Sequence, residues 1–303
     1  MEWITLLCCF LVLPMGFYLV SSTNPLSLFS GMVLMGLISI IITQRMGHLA
    51  THYSLCDSRT WGKLWLWIST ELCGAFSDDL VYVMHVKIHH PHTNIIGLGD
   101  SSAWKIPILP CYLYMFVAPL FLPVATPLFS ISMLIQERMW FSLLKFIPSA
   151  SAGIVINAWL YVYFSGYSWL GAFVILFASR SIFMIPYIHM NIFQHIGLPM
   201  YDKAHRPKRL YQMATGCLNV YTNPLLNVCL GPSLVDCHVE HHLFPNLSDS
   251  LCLKVKPLVS EFCRKNGLPY QQDSYINRLS IFVKRYNELM VHAPPITHFI
   301  GIQ

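Results

Sequence analysis

The sequence predicts an all-α integral membrane protein: four transmembrane helices, paired as two hairpins, under a cytosolic helical cap. Three observations predict it. Of 303 residues, 55% are hydrophobic and 11% charged, with a mean hydropathy of +0.52; soluble domains carry about 25% charged residues. Four apolar runs are long enough to cross a bilayer, which takes about 20 helical residues. Every Lys and Arg falls outside the two short loops that pair those runs. The same composition excludes other classes. Ten cysteines without a CxxC pair make no disulfide scaffold. An aromatic content of 14% is far from disorder, and a net charge of +5 is modest for a nucleic-acid binder.

The four runs are residues 3–20, 26–43, 147–164 and 169–187. Ser21, Ser22, Thr23, Asn24 and Pro25 link the first two; Ser165, Gly166, Tyr167 and Ser168 link the last two. Links this short and uncharged make helical hairpins. Basic residues begin at Arg45 and cluster in 45–105, 138–145 and 180–285. By the positive-inside rule the hairpin tips face away from the cytosol, and residues 44–146 and 188–303 face it. The whole chain, 1–303, then forms one membrane domain. Arg180 falls inside the fourth run, so its helix must end early or the side chain must face a polar cavity. The first run also resembles a signal peptide, but Glu2 and the lack of a basic residue before it favour a span.

Two further apolar stretches are less regular. Residues 106–135 contain Pro107, Pro110, Pro119, Pro123 and Pro127, a poor pattern for a straight span, so an interfacial or re-entrant segment is expected. Residues 63–76 are short and interrupted by Glu71, which suits an amphipathic helix on the membrane surface. Near the end, Leu279, Val283, Tyr286 and Met290 recur at helical spacing after Asp273 and Ser274, and Pro294 and Pro295 stop that helix.

The chemistry shows in the histidines. Eight of the fourteen fall in three groups: His48 and His52; His85, His89 and His90; His238, His241 and His242. Spacings of i,i+3 and i,i+4 place rings on one helix face, about 5–6 Å apart at Cβ, close enough to converge on metal. A lone HxxxH is more often structural than ligating. Three groups that the charge rule puts on one membrane face are a different matter. Imidazole suits Fe, Zn, Cu and Ni, so the ligands alone do not name the ion. Asn191 and His195 form a further i,i+4 pair after the fourth run. His92 reads as a neighbour of the site, and His205, His292 and His298 as surface histidines.

These groups, their order and the hairpins around them resemble the membrane fatty acid desaturase family. The second group running into Pro91-His-Thr-Asn94 and the third into Leu243-Phe-Pro245 strengthen the likeness, as do Gly97-Leu-Gly-Asp-Ser-Ser102 and Ala293-Pro-Pro-Ile-Thr297. It covers nearly the whole chain, although this chain enters its first span almost at once, where such proteins carry a cytosolic tail first.

The resemblance implies a cap holding two Fe ions by histidines. His48, His52, His85, His89, His90, His238, His241 and His242 match the family boxes. His195 resembles an extra ligand of acyl-CoA desaturases, and Asn191 their partner Asn, which reaches metal through water. The implied reaction is O2-dependent desaturation of a fatty acyl chain carried by a membrane lipid or acyl-CoA, in the endoplasmic reticulum with the site facing the cytosol. Asp100, Asp236 and Glu240 are candidates to orient ligand rings. The chain has neither the His-Pro-Gly-Gly haem motif nor a GxGxxG fingerprint, so electrons come from outside. The family implies cytochrome b5 and its NADH-dependent reductase, with Lys203, Arg206, Lys208 and Arg209 as the densest basic surface for docking. A third box opening with His238 rather than Gln, and the missing haem motif, argue against front-end regiochemistry. Two rivals remain: a di-iron lipid hydroxylase on the same scaffold, and a non-catalytic metal- or lipid-binding relative. A transporter would bury its histidines within the spans.

Overall fold

The computed structural model describes residues 2–98 and 109–291. Asp100, Pro107, His292, His298 and the 293–297 motif with its helix-stopping prolines lie outside the described residues. The described chain is mostly helical and divides into two compact units: Met1–Leu80 with Ala118–Ile185, and Val81–Val117 with Pro186–Gln303.

The first unit contains the hairpins. Helix Glu2–Val20 turns into helix Pro25–Thr51 through Asn24, whose Oδ1 accepts from the amides of Leu26 (2.9 Å) and Ser27 (3.3 Å). Pro25 follows at the first helical position, where its missing N–H costs nothing. The second hairpin repeats the logic. Helix Trp140–Ser165 stops at Gly166, whose φ of 72° is left-handed, and Ser168 Oγ caps helix Trp169–Ser181 through Gly171 N at 3.2 Å. Ser165 Oγ donates to Phe17 O (2.9 Å) and Tyr167 Oη to Val20 O (2.7 Å), so both tips sit at one end of the unit. Small residues let the helices approach closely. A Cβ on Gly36 would strike Ser179 O, and one on Gly153 would strike Leu72 O. Arg180 is buried in the last turn before Ser181, where two turn residues interrupt the winding before helix Met184–Phe193; Trp169–Phe193 together is long and apolar enough to span.

Two expectations change. The proline-rich stretch forms one helical run, Leu113–Gln136, so five helices among the described residues are long and apolar enough to cross a membrane, not four. Its winding shows how the prolines are accommodated. A π turn, Leu113–Val117, and a 3-10 turn, Ala118–Phe121, precede regular helix Leu122–Gln136, which places Pro123 in its first turn. Residues 63–76 are amphipathic only at first. Helix Arg59–Leu66 exposes Trp61, but the π turn Trp67–Cys73 packs on helix Trp140–Ser165, with Trp67 Nε1 donating to Ser149 Oγ at 2.7 Å. Glu71, on that turn, is fully buried near Lys145 (3.6 Å) and accepts from Asp78 N at 3.3 Å. Burial pushes its carboxyl up to about 7.

The second unit is short helices and loops stitched by a two-stranded parallel ladder, Asn219 opposite Gln272 and Val220 opposite Asp273. Ser274 Oγ caps helix Tyr275–Lys284 as expected, accepting from Asn277 N at 3.0 Å, and helix Tyr286–Val291 follows. Tyr286 is buried as expected and Leu279 half-buried, while Val283 is exposed and Arg278, Phe282 and Leu289 are buried instead. Arg278 Nη2 donates to Ile196 O at 2.6 Å.

The Gly153 contact yields a prediction. The obstructing atom is backbone and cannot rotate away, so Gly153→Val should cost about 1–3 kcal/mol of stability. Thermal unfolding of purified variant and parent in the same detergent measures it; equal midpoints would mean that the two helices do not meet there.

Candidate metal centre

The second histidine group lies on a π-helix, Tyr82–His89. Its winding closes an i→i+5 bond, His90 N to His85 O at 3.1 Å, and brings these two rings to 4.8 Å between centroids. An α-helix would instead pair His85 with His89. The extra residue per turn sends the consecutive residues His89 and His90 to different places. The third group opens the six-residue helix His238–Leu243 and is buried throughout. His195 lies in the turn that follows helix Met184–Phe193, where Ile196 N still bonds Ile192 O at 2.9 Å.

Within this unit the rings converge in two sets. One nitrogen each from His85, His90 and His241 lie within 4.8 Å of one another, as do one each from His89, His195 and His242. His238 joins the second set, its Nε2 standing 2.7 Å from Nε2 of His195. The first-group histidines belong to the other unit, at the end of helix Pro25–Thr51. There His48 and His52 stand edge to face at 5.0 Å, just after a π turn, Ile41–Met46.

The tautomers follow from the partners. Nδ1 of His195 is 2.9 Å from Gly216 O, and Nδ1 of His238 is 3.1 Å from Ser233 O. A carbonyl only accepts, so each Nδ1 carries the hydrogen and each Nε2 presents a lone pair. Two lone pairs facing at 2.7 Å repel unless a cation lies between them, and imidazoles on one ion, each with a bond of about 2 Å, stand about 3 Å apart. His242 adds a second sign: its buried Nε2 has no hydrogen-bond partner. Burial, then the charge of neighbouring imidazoles, holds His195 and His242 well below the ordinary imidazole range, so both are neutral donors. The residues present fit a metal.

The surroundings differ from the expectation that carboxylates orient the rings. Glu240 accepts from Tyr270 Oη (2.6 Å) and Asn219 Nδ2 (2.9 Å), while Asn219 Oδ1 accepts from Val239 N at 2.8 Å. It therefore braces the backbone of the third box. Asp236 is taken up by Thr222, Asn227 and Lys256. Backbone carbonyls and a hydroxyl hold the rings instead. Asp249, unnoticed in the sequence, accepts from Ser233 N (3.1 Å) and Oγ (2.7 Å), fixing the carbonyl that orients His238. Asn94, with a left-handed φ of 54°, donates to His195 O and Pro199 O, each at 3.2 Å. Gln194 anchors the same loop to Leu234 O and Val235 O. Asn191 donates to Tyr187 O at 2.8 Å within its own helix.

The remaining described histidines stand apart. His92 is half-buried beside Arg206, and His205 is exposed near Asp202. His189, which no motif marked, is buried between Tyr275 Oη (2.5 Å) and Met115 O (3.0 Å).

Comparison with known proteins agrees with this geometry. The family model described as Fatty acid desaturase matches residues 23–274. The chain is 45% identical over 294 residues to Fatty acid desaturase 6 of Homo sapiens, covering 96% of this chain and 82% of that protein. Fatty acid desaturase 6 of Bos taurus is 44% identical, over 97% and 86% of the two chains. A shorter stretch, 21% of this chain and 14% of the relative, is 36% identical to a Delta(5) fatty acid desaturase of Caenorhabditis elegans. No solved structure matches significantly.

Buried neutral rings set a pH dependence. Their folded pKa lies below the unfolded value of about 6.5, so the unfolded chain binds more protons as pH falls. Metal-free protein should be most stable above that pH and lose up to about 1.4 kcal/mol per pH unit per ring below it. Thermal midpoints of chelator-treated protein between pH 8 and 5.5 test the slope; a flat profile would contradict neutral burial.

Proposed function

The chain belongs to the fatty acid desaturase family, and from that premise we propose that it is a di-iron oxidoreductase that introduces a C=C bond into a fatty acyl chain. The observation that carries the reading is the convergence of histidine rings in two sets, with Nδ1 of His195 and of His238 turned to backbone carbonyls so that each Nε2 faces inward. In this proposal one ion takes His85, His90 and His241, and His48 and His52 of the first box are further ligands of the pair. The other takes His89, His195, His238 and His242, with Asn191 reaching it through water.

Bound there with O2, iron supplies the oxidising power to break an unactivated C–H bond, which no side chain provides. Desaturation removes two hydrogens from adjacent carbons, reduces O2 to two waters, and takes up two electrons and two protons. The chain's own part is to hold the rings. Neutral ligands leave the ion's charge uncompensated and positions open for O2, while Gly216 O and Ser233 O keep His195 and His238 aimed inward. Electrons come from cytochrome b5 and its NADH-dependent reductase, with exposed Lys203, Arg206, Lys208 and Arg209 as the docking surface. The substrate is a membrane lipid or acyl-CoA, and the site faces the cytosol from the endoplasmic reticulum.

Lipid profiling of a desaturase-deficient yeast expressing the chain tests the reaction. A new alkene in the acyl pool supports it; a new alcohol would favour the hydroxylase. His195→Ala should abolish the product as completely as His241→Ala, with His205→Ala near normal at equal expression. A fully active His195→Ala enzyme with two irons would remove His195 from the ligand set. Orientation has its own test: Asn246-Leu-Ser248 is a glycosylation sequon that a cytosolic site leaves unmodified, so endoglycosidase should not shift the protein on a gel.

A further inference from the structure

Thr93 is fully buried, between the second box and the chain that returns toward the third. Its hydroxyl has one proton and two close partners: His89 O at 2.8 Å and His242 Nδ1 at 3.1 Å. The carbonyl can only accept, so the proton points at His89, and the contact with the ring uses the hydrogen on Nδ1. His242 is therefore the Nδ1–H tautomer, and its lone pair sits on Nε2, the buried atom without a hydrogen-bond partner. The Thr93 carbonyl is held in turn by Gln212 Nε2 at 2.8 Å.

We propose that Thr93 is a positioning residue for the metal centre: its hydroxyl, oriented by His89 O, sets the tautomer and angle of His242 and ties the two boxes to one another. This rests on the reading of His242 as a ligand. The logic differs from that at His195 and His238, where a backbone carbonyl accepts the Nδ1 hydrogen and no side chain is needed. At His242 a replaceable side chain does the work. Without it, the ring is free to turn or to carry its hydrogen on Nε2, which removes the donor. Loss of such an outer partner weakens metal binding about 10–100-fold.

The test compares Thr93→Val, which keeps the shape and removes the hydroxyl, with Thr93→Ser, which keeps the hydroxyl. Affinity of metal-free protein for Co2+ is measured by chelator competition, together with the ligand-field absorption of the bound ion. Thr93→Val should bind one of two ions about 10–100-fold more weakly with an altered spectrum, and Thr93→Ser should restore both. If Thr93→Val does not fold, Thr93→Cys, with its weak acceptor, takes its place with the same expectation. Equal affinities for parent and Thr93→Val, or equal losses in Val and Ser, would overturn the proposal. Failure of the parent to bind Co2+ at all would instead sink the metal-centre reading itself.

Discussion

An imidazole offers its metal-binding lone pair on one nitrogen only when something settles where the hydrogen on the other nitrogen goes. At His195 and His238 that something is a backbone carbonyl, and at His242 it is a hydroxyl. Each acceptor must itself be held still. Gly216 ends helix Arg209–Gly216, Ser233 is locked by buried Asp249, and Thr93 is locked by His89 O and Gln212. Much of the irregular structure in the second unit follows from this need. Its short helices and loops supply carbonyls at angles that a long helix, whose carbonyls are spent on its own ladder, does not have free.

The same need explains why polar residues are buried so freely here. Gln194, Gln212, Asn94 and Asn219 each donate to two backbone or side-chain acceptors or tie down one loop, and each is buried. A buried amide left unpaired is costly, so such residues tolerate few alternative arrangements of the surrounding chain. The converging rings thus sit in a shell whose hydrogen bonds are formed without any ion.

Much of this was legible in the sequence. Asn24-Pro25 and Gly166 with Ser168 marked both hairpins because caps and stops are local chemistry, and the histidine groups marked rings that converge. Three things were not legible. The π winding of 82–89 has no local signature, since it depends on what the rings meet; an α reading pairs His85 with His89 where the structure pairs it with His90. The proline-rich stretch 106–135 read as interfacial or re-entrant because each proline forfeits a backbone bond, whereas residues 113–136 wind as one helical run in which a π turn and a 3-10 turn take up part of that cost. And the ring-holding groups were sought among carboxylates, when two of them are carbonyls that every residue owns. Thr93 alone stood beside a recognised motif.

His89 and His90 are neighbours in the chain and feed different sets, and so do His241 and His242. Consecutive Cα atoms are about 3.8 Å apart across a trans peptide whatever the surroundings. The backbone origins of the two ring sets are therefore tied together twice by covalent geometry, at His89-His90 and at His241-His242. Thermal breathing of the unit can shift those origins together far more easily than it can pull them apart. An insertion of one residue inside either pair would lengthen that tie, while a conservative change elsewhere in the shell would only blur an angle.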